Sequence, residues 1–172
     1  MRHSTCSRDC ETQVPDPTAS VYETCDGWGP NAGGVGMIKG KVKASKTKVK
    51  RGKKLKVTVT LTNGAARQTY ERLNMVMGVP AGVTIVGQSA KPALKPQKKT
   101  ASGFKSPNSV TWSGFYMKPR AKQTFTITAR VTNTAMAANG VLPFTATLSQ
   151  TAFNGARVCP KELGPLNVNL VA

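Results

Sequence analysis

Apolar and polar residues alternate one for one along Lys53–Asn63, KKLKVTVTLTN. Leu55, Val57, Val59 and Leu61 fall on one face of an extended chain, and Lys54, Lys56, Thr58, Thr60 and Thr62 fall on the other. A period of two carried by β-branched residues marks a half-buried strand. Its apolar face needs a second layer to cover it. The same period returns downstream. Leu73, Met75, Met77 and Val79 share a face, Pro80–Gly82 turns the chain, and Val83 and Ile85 resume it. Val110 and Trp112 point one way in SVTWSGF. QTFTITARVT sets Phe125, Ile127, Ala129 and Val131 against Thr124, Thr126, Thr128 and Arg130. Leu142, Phe144, Ala146 and Leu148 form one more apolar row, and Leu166, Val168 and Leu170 another. No window of comparable length has a convincing helical period. The pattern predicts an all-β chain folded as a two-sheet β-sandwich of about seven to nine strands.

Upstream, Lys39, Lys41 and Lys43 alternate with Ile38, Gly40 and Val42, whereas Lys46, Lys48 and Lys50 take the opposite parity. The phase slips at Ala44–Ser45, and a one-residue slip turns a strand over. Two short strands joined by a bulge or kink are expected there, at an edge where the chain changes sheets. Lysines on edge strands also discourage stray pairing. The run KVKRGKK, holding Lys48, Lys50, Arg51, Lys53 and Lys54, resembles a nucleic-acid patch. At strand spacing around Gly52 it reads better as a turn between two edge strands. Asn63–Gly64 and Asn139–Gly140 are further turn signals. Residues 87–108 show no element. Their lysines, Lys91, Lys95, Lys98, Lys99 and Lys105, sit among prolines and small residues as a solvated loop or as a basic arm.

The chain divides into an irregular arm, residues 1–36, and a body, residues 37–172. Pro15, Pro17, Gly27, Gly29, Pro30, Gly33, Gly34 and Gly36 break regular structure in the arm. Charge divides the same way. Arg2 and Arg8 face Asp9, Glu11, Asp16, Glu23 and Asp26 in the arm, a formal −3. The body's only acidic residues are Glu71 and Glu162, and its formal +21 with the arm's −3 makes the whole chain's +18. Such asymmetry points to a polyanionic partner or to attraction between copies. The first residues lack an apolar core, so they read as something other than an intact secretory signal. No stretch is long and apolar enough to suggest a membrane span.

Four cysteines, Cys6, Cys10, Cys25 and Cys159, favour disulfides and an oxidising compartment. Of the three possible pairings, Cys25–Cys159 with Cys6–Cys10 is the first choice. Cys25 is nearest the body, and Cys159 is expected in a turn before the last strand. Closing so long a loop would contribute about 3–5 kcal/mol. A zinc site from His3, Cys6, Cys10 and Cys25 is the rival, but the spacing matches no common zinc pattern well.

The order of landmarks resembles an Ig-like "conserved repeat" domain of unknown function found in bacterial and archaeal surface and secreted proteins. The resemblance covers about residues 45–150. It rests on the strand from Gly52 to Asn63, the segment VPAGVTIV (Val79–Val86), Trp112, the stretch MKPRAKQTFTITARVT (Met117–Thr132), and the threonine-rich Phe144–Leu148. The chain departs from the pattern in two turns: Asn63–Gly64 lacks a middle Thr, and Pro119–Arg120 replaces Pro-Gly. The 87–108 segment and the cysteine arm are additions. The resemblance implies an Ig-like sandwich and an extracellular scaffold or adhesion role, with no catalytic residues.

Composition argues against catalysis. The body has no histidine and two carboxylates on segments with no reason to meet, so paired acid–base groups, hydrolytic triads and oxygen-ligand metal sites are not expected. No cofactor is implied. One expectation is an extracellular or cell-surface structural subunit of a filament, surface layer, appendage or virion, in which the arm packs on a neighbouring copy. The alternative is a module that binds an acidic polysaccharide, anionic cell wall or nucleic acid through Lys39–Lys56 and Lys91–Lys105. Sequence-specific nucleic-acid reading is not expected, because no recognition helix is present.

Overall fold

The computed structural model describes residues 38–66, 68–69, 72–99, 108–135, 137, 139–151 and 158–172. The arm, with Cys6, Cys10, Cys25 and the zinc alternative, lies outside the described residues, as does Lys105. Eleven strands and no helix are found among the described residues. In chain order they are β1 (Ile38–Ala44), β2 (Lys48–Lys50), β3 (Lys54–Asn63), β4 (Arg72–Gly78), β5 (Val83–Lys91), β6 (Gln97–Lys99), β7 (Ser109–Phe115), β8 (Lys122–Val131), β9 (Val141–Thr151), β10 (Val158–Glu162) and β11 (Leu166–Val171).

They form two sheets. The first runs β1-β3-β8-β5; the second runs β2-β11-β9-β4-β7-β6, with β10 also paired to β9. Strands β10 and β11 lie on the same side of β9, one opposite Thr147–Thr151 and the other opposite Val141–Phe144. They act as one strand interrupted at Leu163–Pro165. All the described pairs are antiparallel except β2 with β11.

The alternation read from sequence sets the core. Leu55, Val57, Val59 and Leu61 from β3 and Phe125, Ile127, Ala129 and Val131 from β8 are buried on one side. Leu73, Met75, Met77, Val110, Trp112, Leu142, Phe144, Ala146, Leu148 and Val168 meet them from the other. Trp112 of the second sheet and Phe125 of the first stack across the layers with ring centroids 4.9 Å apart, and Phe115 lies 5.4 Å from Phe125. Such tilted aromatic pairs contribute about 0.5–1.5 kcal/mol each beyond the area they bury.

The phase slip at Ala44–Ser45 has the expected consequence. Strand β1 pairs with β3 in the first sheet, and β2 pairs with β11 in the second, so the chain crosses between layers there. Three expectations need correction. Strand β3 is an interior strand, hydrogen-bonded to β1 on one edge and β8 on the other, so its lysines mark an exposed face and not a rim. The 87–108 segment is not wholly irregular: β5 continues to Lys91 against β8, and Gln97–Lys99 pairs with β7. Backbone pairing needs no apolar alternation, so periodicity gave no warning. Cys159 lies in strand β10 opposite Gln150 and not in a turn.

Candidate functional site

Strand alternation that buries one row of β3 and β8 exposes the other. Across the first sheet the outward residues fall into rows fixed by register. Lys39 stands opposite Thr62, which stands opposite Lys122. Lys41, Thr60 and Thr124 form the next row, then Lys43, Thr58 and Thr126. Lys56 faces Thr128 in the row beyond, and the Lys56 backbone N–H donates to Ser45 Oγ at 2.9 Å, tying that corner to the end of β1. Thr58 and Thr126 share a hydrogen bond of 3.2 Å between their hydroxyls.

These rows enclose an open concavity of about 630 Å³ lined by Lys39, Lys41, Lys43, Lys56, Lys122 and the threonines Thr58, Thr60 and Thr62, with Gly40, Ala44 and Ser45. Threonine hydroxyls form the floor. Lysines line one side along β1 and close both ends, Lys56 at one and Lys122 at the other. Among the described residues no carboxylate lines it. Glu162 is the one side-chain carboxylate among the described residues, and it sits on the second sheet, where its oxygens accept from Thr147 Oγ1 at 2.9–3.0 Å. Neighbouring lysines on β1, about 7 Å apart, repel by only about 0.6 kcal/mol in water. A polyanion laid over the floor would turn that repulsion into attraction.

The structure gathers some of the sequence candidates and disperses others. Lys39, Lys41 and Lys43 converge on the concavity, and Lys54 and Lys91 lie on the same outer face, opposite Arg130 and Thr124. Lys48 and Lys50 belong to β2, and Lys98 and Lys99 to β6, at opposite edges of the second sheet. Lys46, Lys53 and Lys95 are exposed in connections. Arg51 is structural: its guanidinium donates to the Ala135 carbonyl at 3.1 Å. The sequence candidates reached Lys56 at the end of the range Lys39–Lys56 but omitted Lys122. Lys122 shares the outward parity of the threonines on its strand, which is the signal that finds it.

Among the described residues no group of three His, Cys, Asp or Glu side chains converges as a metal site would require, and no helix is long and apolar enough to cross a membrane.

No protein-family model and no curated protein matches the chain. Solved structures do. A protein of Corynebacterium diphtheriae described as membrane anchored superposes with a TM-score of 0.56 at 12% identity, over 78% of this chain and 36% of that one. The major pilin subunit of Bacillus cereus gives 0.54 at 11% identity, over 78% and 40%. The cohesin module of a Clostridium perfringens glycoside hydrolase gives 0.47 at 9% identity, over 78% and 96%. The chain thus matches well under half the length of the first two proteins. At these identities the first two likenesses establish the fold, an Ig-like β-sandwich, and nothing further.

Proposed function

We propose that this chain is a non-enzymatic binding module of an extracellular or cell-surface structure, and that the outer face of its first sheet takes up a polyanion. One observation carries the reading. Five lysines from three strands frame a threonine floor, and among the described residues no carboxylate lies between them. An outer face that served solubility alone would intersperse both signs of charge. The fold, shared with a pilin subunit and with a protein described as membrane anchored, is compatible with a place on the cell surface. Binding of this kind weakens steeply as salt ions compete. On a heparin column the full chain is expected to elute well above physiological salt, and Lys41→Gln/Lys56→Gln/Lys122→Gln is expected to elute earlier. Elution at low salt, or no change in the triple variant, would contradict the reading.

A second reading rests on the opposed charges of arm and body, −3 and +21. The arm of one copy would pack on the basic body of the next in a filament, surface layer, appendage or virion. Charge then supplies steering and register more than affinity. Deleting residues 1–36 is expected to abolish assembly, seen by negative-stain imaging, while leaving a folded body. Normal assembly of the truncated chain would rule this mechanism out.

A further inference from the structure

Resting on the polyanion reading, we infer that the ligand of the lysine–threonine face is a linear phosphodiester polymer with a short polyol between successive phosphates, lying along β1 in register with its lysines. The geometry carries this in three steps. Lys39, Lys41 and Lys43 recur at every second residue of one strand, so their Cα atoms repeat at about 6.6–6.8 Å. Two residues of extended backbone contain the same number of bonds as one repeat of a glycerol phosphate chain, counted from phosphorus to phosphorus. An extended polymer of that kind therefore presents one phosphate per β1 lysine without either chain coiling. A sulfated polysaccharide hangs its charges from sugar rings, often several to a ring, and so does not repeat one charge per two residues of strand.

Length agrees. From the Lys122–Thr62–Lys39 row to the row holding Lys56, the floor spans about 20 Å, or about four phosphates. Lys56 and Lys122 stand at its ends. Between the charges, Thr58, Thr60 and Thr62 offer hydroxyls that donate to phosphate oxygens and accept from the free hydroxyls of a polyol. Single-stranded nucleic acid has a similar phosphate repeat, but the grooves that hold it add aromatic side chains on which its bases stack. Among the described residues none lines the concavity: Trp112, Phe115, Phe125 and Phe144 are buried, and exposed Tyr116 follows β7 in the other sheet.

Isothermal titration of the full chain at about 50 mM salt compares a short synthetic poly(glycerol phosphate), heparin and oligo-dT, each at equal total negative charge. The inference expects the poly(glycerol phosphate) to bind most tightly, and Lys41→Gln to weaken it roughly two- to fivefold with an unchanged melting temperature. If heparin binds as tightly or more so, the register argument falls while the polyanion reading stands. If oligo-dT binds best, the polyol assignment is overturned in favour of nucleic acid. If none of the three binds, both readings fail.

Discussion

The amide of Asn63 explains a landmark that the sequence displayed without a reason. It is fully buried at the end of β3. Its Nδ2 donates to the carbonyls of Met117 and Lys118 at 3.1 and 3.0 Å, and its Oδ1 accepts from the Ala65 N–H at 3.0 Å. Thr69 holds the same loop from the other side, accepting from the Met117 N–H through Oγ1 at 3.0 Å and donating its own N–H to the Met117 carbonyl. Removing the Asn63 amide takes one bond from each of the Met117 and Lys118 carbonyls and leaves the buried Ala65 N–H without its acceptor. Asn63→Ala is expected to cost about 2–3 kcal/mol in chemical denaturation; a cost below about 0.5 kcal/mol would show that the loop is held by other means. The neighbouring turn carries the departure noted in the sequence. Arg120 stands where the resemblance has Gly, and its φ is +58°, a left-handed conformation that costs a side chain about 1–2 kcal/mol. Its guanidinium offsets part of this by donating to the Gly64 carbonyl at 2.7 Å. Arg120→Ala keeps the strain and loses the bond, so it is expected to melt lowest. Arg120→Gly removes both and is expected to melt at least as high as the parent chain. The reverse order would contradict this account of the turn.

Strands show how far alternation reaches. It found the buried rows of β3, β4, β7, β8, β9 and β11, because a two-residue period with one face covered leaves a signature in composition. It also found the crossing at Ala44–Ser45, because a parity slip has one structural meaning. It missed β6 and β10, where short, partly charged segments add to an existing sheet through backbone hydrogen bonds. It also took β3 for an edge, because lysines mark an exposed outer face as readily as a sheet rim. Gly82 was legible for a physical reason: its φ is +73°, and a Cβ there would lie 2.3 Å from the Ala135 Cα. The edges themselves are guarded. Strand β1 carries Lys39, Lys41 and Lys43, β2 and β6 have three residues each, and the register of β5 shifts between Ile85 and Gly87, leaving Val86 exposed. Such devices oppose pairing between sheets of different molecules, which favours binding on the face over addition of a strand to the rim. Lys39→Thr/Lys41→Thr/Lys43→Thr makes β1 an uncharged β-branched edge. It is expected to self-associate in light scattering at concentrations where the parent stays dispersed. A variant that stays dispersed would show that the lysines are not needed to protect the edge.

Taken as one molecule, the domain separates two tasks between its layers. Both sheets supply the buried bulk, the second contributing Trp112 and both methionines of β4, and the first presents lysine and threonine outward from a smaller frame. The threonines were visible in sequence as the polar parity of two strands. That they form a floor framed by Lys39, Lys41, Lys43, Lys56 and Lys122 was not, because pairing across β1, β3 and β8 is a long-range fact that one-dimensional spacing does not encode. The claim that this face binds polyanion is tested most directly by the salt dependence of heparin binding, measured by titration. With three to five lysines engaged, log K is expected to fall against log salt with a slope of about −2 to −3.5. Lys41→Gln/Lys56→Gln/Lys122→Gln should flatten that slope by about 2, whereas Lys48→Gln/Lys50→Gln, on the other sheet, should leave it unchanged. Equal slopes for the two variants would contradict the assignment of the face.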